Sequence, residues 1–203
     1  MGEWLTYSLS DFLLFSPRTY YRLFELYNRA VWPAQLLALA LGAAVLLLLR
    51  RADTMAAQIV AAILAACWLW VACAYHLERY DTINWAATYY AVAFGAEALL
   101  LAWAALRLTL RTNPTGPALF LFALVLQPLI GPLLGRPWAQ VELFGLAPDP
   151  TVVGTLGLVL LADGRIRWAL IAIPLLWCAV TGLTLWAMGS PDALDAVTGL
   201  RRT

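Results

Sequence analysis

The stretch NWAATYYAVAFGAEALLLAWAAL, residues 84–106, decides the fold because it is long and apolar enough to cross a lipid bilayer. It carries one carboxylic acid, Glu97, near its middle. A charged carboxylate at that depth costs roughly 2.5 kcal/mol or more, so the side chain should face protein or water rather than lipid. On a helical projection Glu97 shares a narrow face with Tyr90 and three alanines, whose small side chains let another helix approach closely. The stretch therefore predicts a membrane helix with a polar group in an interior seam.

The composition of the whole chain supports the same class. Of the 203 residues, 63% are hydrophobic and only 12% are charged, whereas a soluble domain has about 25% charged residues. The formal net charge of +1 gives no indication of a nucleic-acid partner. The basic residues are all arginine, which together with the many alanines and leucines is typical of a bacterial genome rich in G and C. We therefore expect a multi-pass protein of a bacterial inner membrane.

Apolar stretches that recur along the chain predict an all-α bundle of about six transmembrane helices. The fifth stretch has about twelve residues, or about 18 Å of helix, and is short for a roughly 30 Å hydrocarbon core. It either gains depth from residues Trp138 onward or is partly re-entrant, and Asp149 is its predicted cap. The predicted organisation is an N-terminal segment at 1–30, a bundle at 31–189 and a polar tail at 190–203. The predicted spans are residues 31–49, 55–75, 84–106, 118–134, 151–162 and 166–188.

The N-terminal segment contains an amphipathic pattern. Ser16 and Pro17 are a typical helix cap and first helical residue, and Ser10 with Asp11 could cap a shorter turn before them. Apolar and aromatic residues then follow at helical spacing, with charged residues on the opposite face. This pattern predicts an interfacial helix, which serves either as an anchoring collar or as a lid or docking surface. The arginines of the predicted collar are Arg18, Arg22 and Arg29.

Arginines in the loops predict the orientation of the bundle. The loops after the second and fourth spans contain only Arg79 and Arg136. Cytoplasmic loops are enriched in basic residues, so the loops after the first, third and fifth spans should be cytoplasmic and both termini periplasmic. Those three loops contain Arg50, Arg51, Arg107, Arg111, Arg165 and Arg167.

Glu97 is the strongest candidate for a functional site. Tyr90 lies on its face, and the fourth span contains Gln127 followed by Pro128. A proline inside a helix removes a donor and leaves the carbonyl four residues earlier unpaired, so this broken helix could supply acceptors. These four residues predict a site for a proton, ion or small solute. In the alternative interpretation Glu97 is structural, either protonated or hydrogen-bonded between helices.

A second group of polar residues lies near the end of the second span. His76, Glu78 and Arg79 could form a small cluster at one membrane face, although the favoured interpretation of His76 is an interfacial histidine packed under aromatic residues. His76 follows Cys73 by one helical turn, but a structural zinc needs about four ligands and a fourth is not evident. Nucleotide-binding, hydrolase and zinc-protease motifs are not found. We therefore expect no metal, no cofactor and no catalytic residue.

Four phrases of the sequence carry a resemblance to a known family. They are LSDFLLFSPRTYYRLFELYNRAVWP (9–33), INWAATYYAVAFGAEALLL (83–101), PDPTVVGTLGL (148–158) and IPLLWCAVTG (173–182). The chain resembles an uncharacterised family of small bacterial multi-pass membrane proteins, a domain of unknown function with no established activity. The resemblance implies a fold and a location, and it transfers no site residue.

Three functions remain open from the sequence. The first is binding or translocation of a small solute or ion through a polar seam around Glu97. The second is an accessory subunit of a larger membrane complex, and the third is a membrane enzyme acting on a lipid or quinone. The expected partners are the lipid bilayer and either other subunits or further copies of the chain, with no nucleic acid.

Overall fold

The structure is a computed structural model that describes residues 15–51 and 53–189. The predicted turn at Ser10 and Asp11 and the predicted tail at 190–203 lie outside the described residues. Within the described ranges the regular secondary structure is helical, apart from an isolated β-bridge between Leu110 and Ala162. Its α-helices are α1 (Pro17–Ala30), α2 (Ala34–Leu48), α3 (Thr54–Trp70), α4 (Ala87–Ala104), α5 (Thr115–Leu121), α6 (Gln127–Leu133), α7 (Pro148–Leu161) and α8 (Ile166–Gly189).

Two of these helices continue as π-helix, in which hydrogen bonds reach five residues along the chain instead of four. Helix α3 runs into the π-helical segment Val71–Leu77, and α5 is joined to α6 through the π-helical segment Phe122–Leu126. Short 3₁₀ turns follow at Tyr80–Thr82 and Trp138–Gln140. π-helical turns are rare and are frequently found at functional sites.

Among the described residues, four helical segments are long and apolar enough to cross a membrane: Thr54–Thr82, Ala87–Ala104, Thr115–Leu133 and Ile166–Gly189. The helices α1 and α2 would add a fifth if they formed one span, but they are bent by 93° relative to each other. Helix α7 has only 14 residues. The all-helical class and four to five candidate spans in the described residues are therefore confirmed. The predicted number of six spans is not confirmed.

Helix α1 forms where the amphipathic pattern predicts it. Ser16 Oγ accepts a hydrogen bond from the backbone N–H of Thr19 at 3.2 Å, and Pro17 occupies the first helical position. This cap satisfies one of the amides that a helix start leaves free. The face of α1 that packs on the bundle is formed by Tyr20, Leu23, Phe24 and Tyr27, all of them buried.

The two ends of the bundle are identified by contacts between distant parts of the chain. At the end that we call the bridge end, the N–H of Arg111 donates to the carbonyl of Leu161 at 2.8 Å. This contact joins the residues after α4 to the end of α7. At the opposite end, called the cap end, Asn28 of α1 donates to the carbonyls of Ala139 and Val141 at 3.0 and 2.8 Å. Helix α1 therefore covers the end at which α7 begins.

Helices α5 and α7 cross closely because each has a glycine at the crossing. A Cβ atom added to Gly116 would lie 2.7 Å from the carbonyl oxygen of Gly157, and one added to Gly157 would lie 2.8 Å from that of Gly116. These distances are shorter than real Cβ contacts, and the opposing atoms belong to the backbone. The close approach of α5 and α7 therefore depends on both glycines.

Candidate functional site

His76 lies in the π-helical segment that follows α3, and its side chain is fully buried. Within residues 15–51 and 53–189, neither ring nitrogen has a hydrogen-bond partner. A neutral imidazole has one donor and one acceptor, so both capacities are unused. The imidazole is surrounded by aromatic rings at centroid distances of 4.6 to 5.9 Å, from Tyr75, Tyr80, Tyr90, Phe94 and Trp177.

Glu97 lies on α4, three residues beyond Phe94, and its side chain is also fully buried. The predicted burial of this acid inside the bundle is thus confirmed. Neither carboxyl oxygen has a hydrogen-bond partner among the described residues. Since Phe94 contacts the His76 ring, Glu97 lies one turn, or about 4.5 Å of helix rise, closer to the bridge end. We refer to these two side chains as the His76–Glu97 pair.

Three helices meet around Phe94, next to this pair. The Phe94 ring lies 4.3 Å from the Trp68 ring of α3 and 5.1 Å from the Trp177 ring of α8. Helix α8 starts at the bridge end and therefore runs antiparallel to α4. Pro174 precedes Trp177 by about one turn, so it lies closer to the bridge end. Pro174 therefore lies at about the level of Glu97. Because a proline inside a helix leaves the carbonyl four residues earlier without its donor, α8 offers an acceptor on the bridge-end side of this level.

Asp149 connects α7 to α8 near the same rings. Its Oδ1 accepts hydrogen bonds from Trp177 Nε1 at 2.7 Å and from the Thr181 hydroxyl at 2.9 Å. The predicted role of Asp149 as a helix cap is wrong, because Ala147 is the cap residue and no side chain caps α7. The structure thus adds Trp177 and Asp149 to the candidate site, and the sequence interpretation had missed both in this role.

A charged pair lies between α6 and α7, outside the candidate spans. Arg136 Nη1 lies 3.8 Å from Glu142 Oε1, and the guanidinium lies 4.4 Å from the centre of the Tyr21 ring. Burial and the negative charge of Asp149 raise the pKa of Glu142 to about 8, although Arg136 acts in the opposite direction. Removal from water disfavours the charged form of a carboxyl, which is why burial is the largest cause. Glu142 and Asp149 are thus two carboxyl groups that lie close enough together for the charge of one to act on the other.

The stability of the protein should fall as the pH rises from about 5 to about 8 because of Glu142. A carboxyl whose pKa is raised in the folded state, here from 4.5 to about 8, binds its proton more tightly than in the unfolded chain. Its contribution is complete below pH 4.5 and is lost as the pH rises through the folded pKa. Thermal unfolding of the detergent-solubilised protein measures this slope, and Glu142→Gln should reduce it.

Asp163→Asn is the matched control for that experiment. Asp163 pairs with Arg111 at the bridge end, and hydrogen bonds from Arg111 and from the Gly164 amide lower its pKa. Asp163 is therefore ionised throughout the tested range and adds nothing to the slope. An unchanged slope in Glu142→Gln would contradict the raised pKa of Glu142.

The remaining predicted residues lie elsewhere. Gln127 and Pro128 begin α6, which is not among the helices packed closely on α4, so the structure does not bring them to Glu97. The Gln127 Oε1 atom is nevertheless buried and without a partner in the described part of the chain. Glu78 and Arg79 line a separate cavity beside α1, whereas the His76 ring points into the bundle. The predicted cluster of these three residues at the membrane face is therefore not formed.

The predicted collar lies on the exposed face of α1, where Arg18, Arg22 and Arg29 are all accessible. Arg22 and Arg29 both contact Glu25, at 2.6 and 2.7 Å. The arginines thus lie opposite the packed aromatic face, as the pattern predicts. Among the residues that the structure describes, no group of three or more His, Cys, Asp or Glu side chains could hold a metal ion.

In the part of the chain that the structure describes, these observations define an all-helical protein with four to five helices long and apolar enough to span a membrane, around a buried histidine and glutamate. The chain belongs to a family of unknown function (DUF6064), and the match covers residues 18–196. The resemblance to a family without established activity is thereby confirmed. No curated protein and no solved structure matches the chain.

Proposed function

We propose that the chain is a multi-span membrane protein that binds and conducts a proton or a small cation at the His76–Glu97 pair. One observation carries this proposal: both side chains are fully buried, and neither has a hydrogen-bond partner in the described residues. Leaving a buried polar group unpaired costs about 1–3 kcal/mol, and more for a charged group. A cost of this size at both positions favours a role for both groups beyond packing.

The enclosure of the pair favours a proton over a larger solute. Neither His76 nor Glu97 has exposed surface, and aromatic rings surround the imidazole. Imidazole and carboxyl groups both accept and release protons, so a proton can reach them through hydrogen-bonded groups without an open passage. A small cation would need local opening of the rings.

The proposed route runs from the cap end towards the bridge end. Glu142 and Asp149 lie at the start, and both are within electrostatic reach of the buried Tyr75 phenol. The Tyr75 ring lies 5.2 Å from the His76 ring, and Glu97 follows one turn further along α4. Beyond it, the carbonyl left free by Pro174 is the next acceptor.

We further propose that the membrane is a bacterial inner membrane, with both termini periplasmic and α1 in the interface. The contacts at the bridge end support this orientation, because the residues after α4 and after α7 meet there and carry Arg107, Arg111, Arg165 and Arg167. Cytoplasmic loops are enriched in arginine, so the bridge end is the cytoplasmic end. The bend of 93° after α1 supports an interfacial position for α1 if α2 follows the membrane normal.

The experiment that tests conduction uses the purified protein in proteoliposomes that enclose a pH-sensitive dye. After a pH step in the presence of valinomycin and potassium, the interior should equilibrate at least ten times faster than in protein-free liposomes prepared in parallel. Equal rates in the two preparations would overturn the proposal. The same step across a sodium gradient distinguishes conduction of protons from conduction of a metal cation.

An accessory subunit of a larger complex is the competing proposal. The described helices expose large apolar side chains that either lipid or partner helices could cover, including Leu36, Leu99 and Trp186. Mild detergent extraction followed by light scattering discriminates between the two. A stable partner of different mass supports the subunit, whereas a single species of the chain supports the conducting protein.

A further inference from the structure

Two neighbouring cavities share Trp70. One is lined by apolar groups, and the other, called the polar cavity, also includes charged side chains. The apolar cavity, of about 170 Å³, lies between Leu37, Ala38 and Leu41 of α2 and Ala66 of α3. The polar cavity, of about 460 Å³, lies beside the end of α1 and includes Glu78 and Arg79. We call the two together the α1–α3 groove. Such a combination suits a ligand with an apolar tail and a charged head.

The charged side chains of the groove have no ion-pair partner within residues 15–51 and 53–189. Arg79 and Glu78 make no ion pair among the described residues, and the Arg79 Nε atom is buried without an acceptor. A guanidinium presents several donors in a planar arrangement that matches a phosphate group. An unpaired buried donor of this kind is costly, so the arrangement favours an anionic ligand at Arg79. The carboxylate of Glu78, in the same cavity, complements a cation.

The depth of the two cavities matches the layers of a bilayer. The segment Thr54–Thr82 has 29 residues, more than the roughly 20 that a helix needs to cross a hydrocarbon core of roughly 30 Å. Its last residues, including Glu78 and Arg79, therefore extend to the level of the headgroups. At the junction of the cavities, Trp70 Nε1 donates to the Tyr27 hydroxyl at 2.8 Å. Trp and Tyr are the residues enriched at the membrane–water interface.

We infer that the α1–α3 groove binds one phospholipid whose headgroup carries a phosphate and a primary ammonium, as phosphoethanolamine does, because only an ammonium with N–H donors can hydrogen-bond to a carboxylate. The phosphate contacts Arg79, the ammonium contacts Glu78, and an acyl chain lies against α2 and Ala66. The inference depends on the membrane location of the protein but not on proton conduction. Loss of flux and loss of lipid binding are therefore separable results.

Native mass spectrometry of the delipidated protein in detergent tests this inference. The protein is titrated separately with phosphatidylethanolamine, phosphatidylglycerol and phosphatidylcholine of the same acyl chains. One copy of phosphatidylethanolamine should bind at least tenfold more tightly than either of the other lipids. Equal affinity for the three lipids, or several copies bound without preference, would overturn the inference.

Three variants assign the parts of the lipid. Arg79→Gln should weaken phosphatidylethanolamine binding at least tenfold, because it removes the contact with the phosphate. Glu78→Gln should lower the preference for phosphatidylethanolamine over phosphatidylglycerol at least fivefold, and Ala66→Leu should weaken both lipids by occupying the apolar cavity. Arg50→Gln, an exposed arginine of the loop after α2, is the control and should leave all three affinities unchanged. Unchanged binding by Arg79→Gln, with its unfolding temperature preserved, contradicts the assignment.

Discussion

Replacing Glu97 with glutamine should reduce the proton flux of proteoliposomes to the rate of protein-free liposomes, while the protein still folds. Glutamine has nearly the same shape as glutamate, but it neither binds nor releases a proton in the accessible pH range. Because Glu97 lies inside the bundle without a hydrogen-bond partner among the described residues, no other described carboxyl is placed to substitute for it. The measurement is the dye-reported rate after a pH step, compared at equal protein content.

Asp81→Asn is the matched control. It also replaces a carboxyl group with an amide, but at an exposed position in the Tyr80–Thr82 turn. Its flux should equal that of the unaltered protein. Both variants should elute from a sizing column as single species with similar unfolding temperatures. Undiminished flux in Glu97→Gln would remove Glu97 from the mechanism.

The stability of Glu97 variants separates the functional from the structural interpretation of this residue. If the acid is retained for conduction, Glu97→Met should raise the free energy of unfolding by about 1–3 kcal/mol, because an unpaired buried polar group is removed. If the acid instead holds helices together through hydrogen bonds, the same variant should be less stable. Chemical denaturation in mixed micelles gives the sign of the change.

Some features were predictable because their physical cause is local. The cap at Ser16 and the buried face of α1 follow from residue spacing within one helix, which needs no knowledge of the rest of the fold. The burial of Glu97 follows from the cost of placing a carboxyl against lipid. These predictions hold because each depends on the residue and its immediate neighbours.

Other features depend on contacts that spacing cannot show. The sequence placed His76 at a membrane face because the second predicted span ended at residue 75. The helix instead continues as π-helix through Leu77, and each π-helical turn shifts the side chains that follow it around the axis. The hydrogen bond between Asp149 and Trp177 joins residues 28 positions apart on different helices. A Pro-Asp-Pro sequence is typical of a helix start, so it gave no indication of this partner.

The predicted number of six spans is not confirmed, for a tertiary reason. Helix α2 has 15 residues and α7 has 14, and the chain bends by 93° between α1 and α2. An apolar stretch reveals its length but not the angle at which it meets the preceding helix. Helix α7 is short, yet Pro150, Thr151 and Val152 near its start and Leu161 at its end are buried, so it packs inside the bundle.

Gly157→Leu should largely prevent the formation of the native bundle, because α7 could no longer approach α5. The first side-chain atom alone would lie 2.8 Å from the carbonyl oxygen of Gly116 and 3.2 Å from the amide nitrogen of Phe120. Both neighbours are backbone atoms, which cannot rotate away, so the helices must separate. Overpacking in a well-packed core typically costs 1–3 kcal/mol, and a rigid backbone contact places this variant at about 3 kcal/mol or more. Separation would also displace Asp149 from Trp177 and disturb the site.

The control for Gly157→Leu is Gly182→Leu, the same substitution on the exposed surface of α8. No atom lies within 4 Å of a Cβ built at Gly182, so leucine meets open space there. Thermal unfolding in mild detergent should show a fall of about 6 °C or more, or no folded fraction, for Gly157→Leu and no decrease for Gly182→Leu. Gly157→Ala, which adds only the Cβ atom, should give an intermediate loss. If Gly157→Leu and Gly182→Leu unfold at the same temperature, α5 and α7 do not cross at these glycines, and the position of Asp149 beside α8 loses its structural basis.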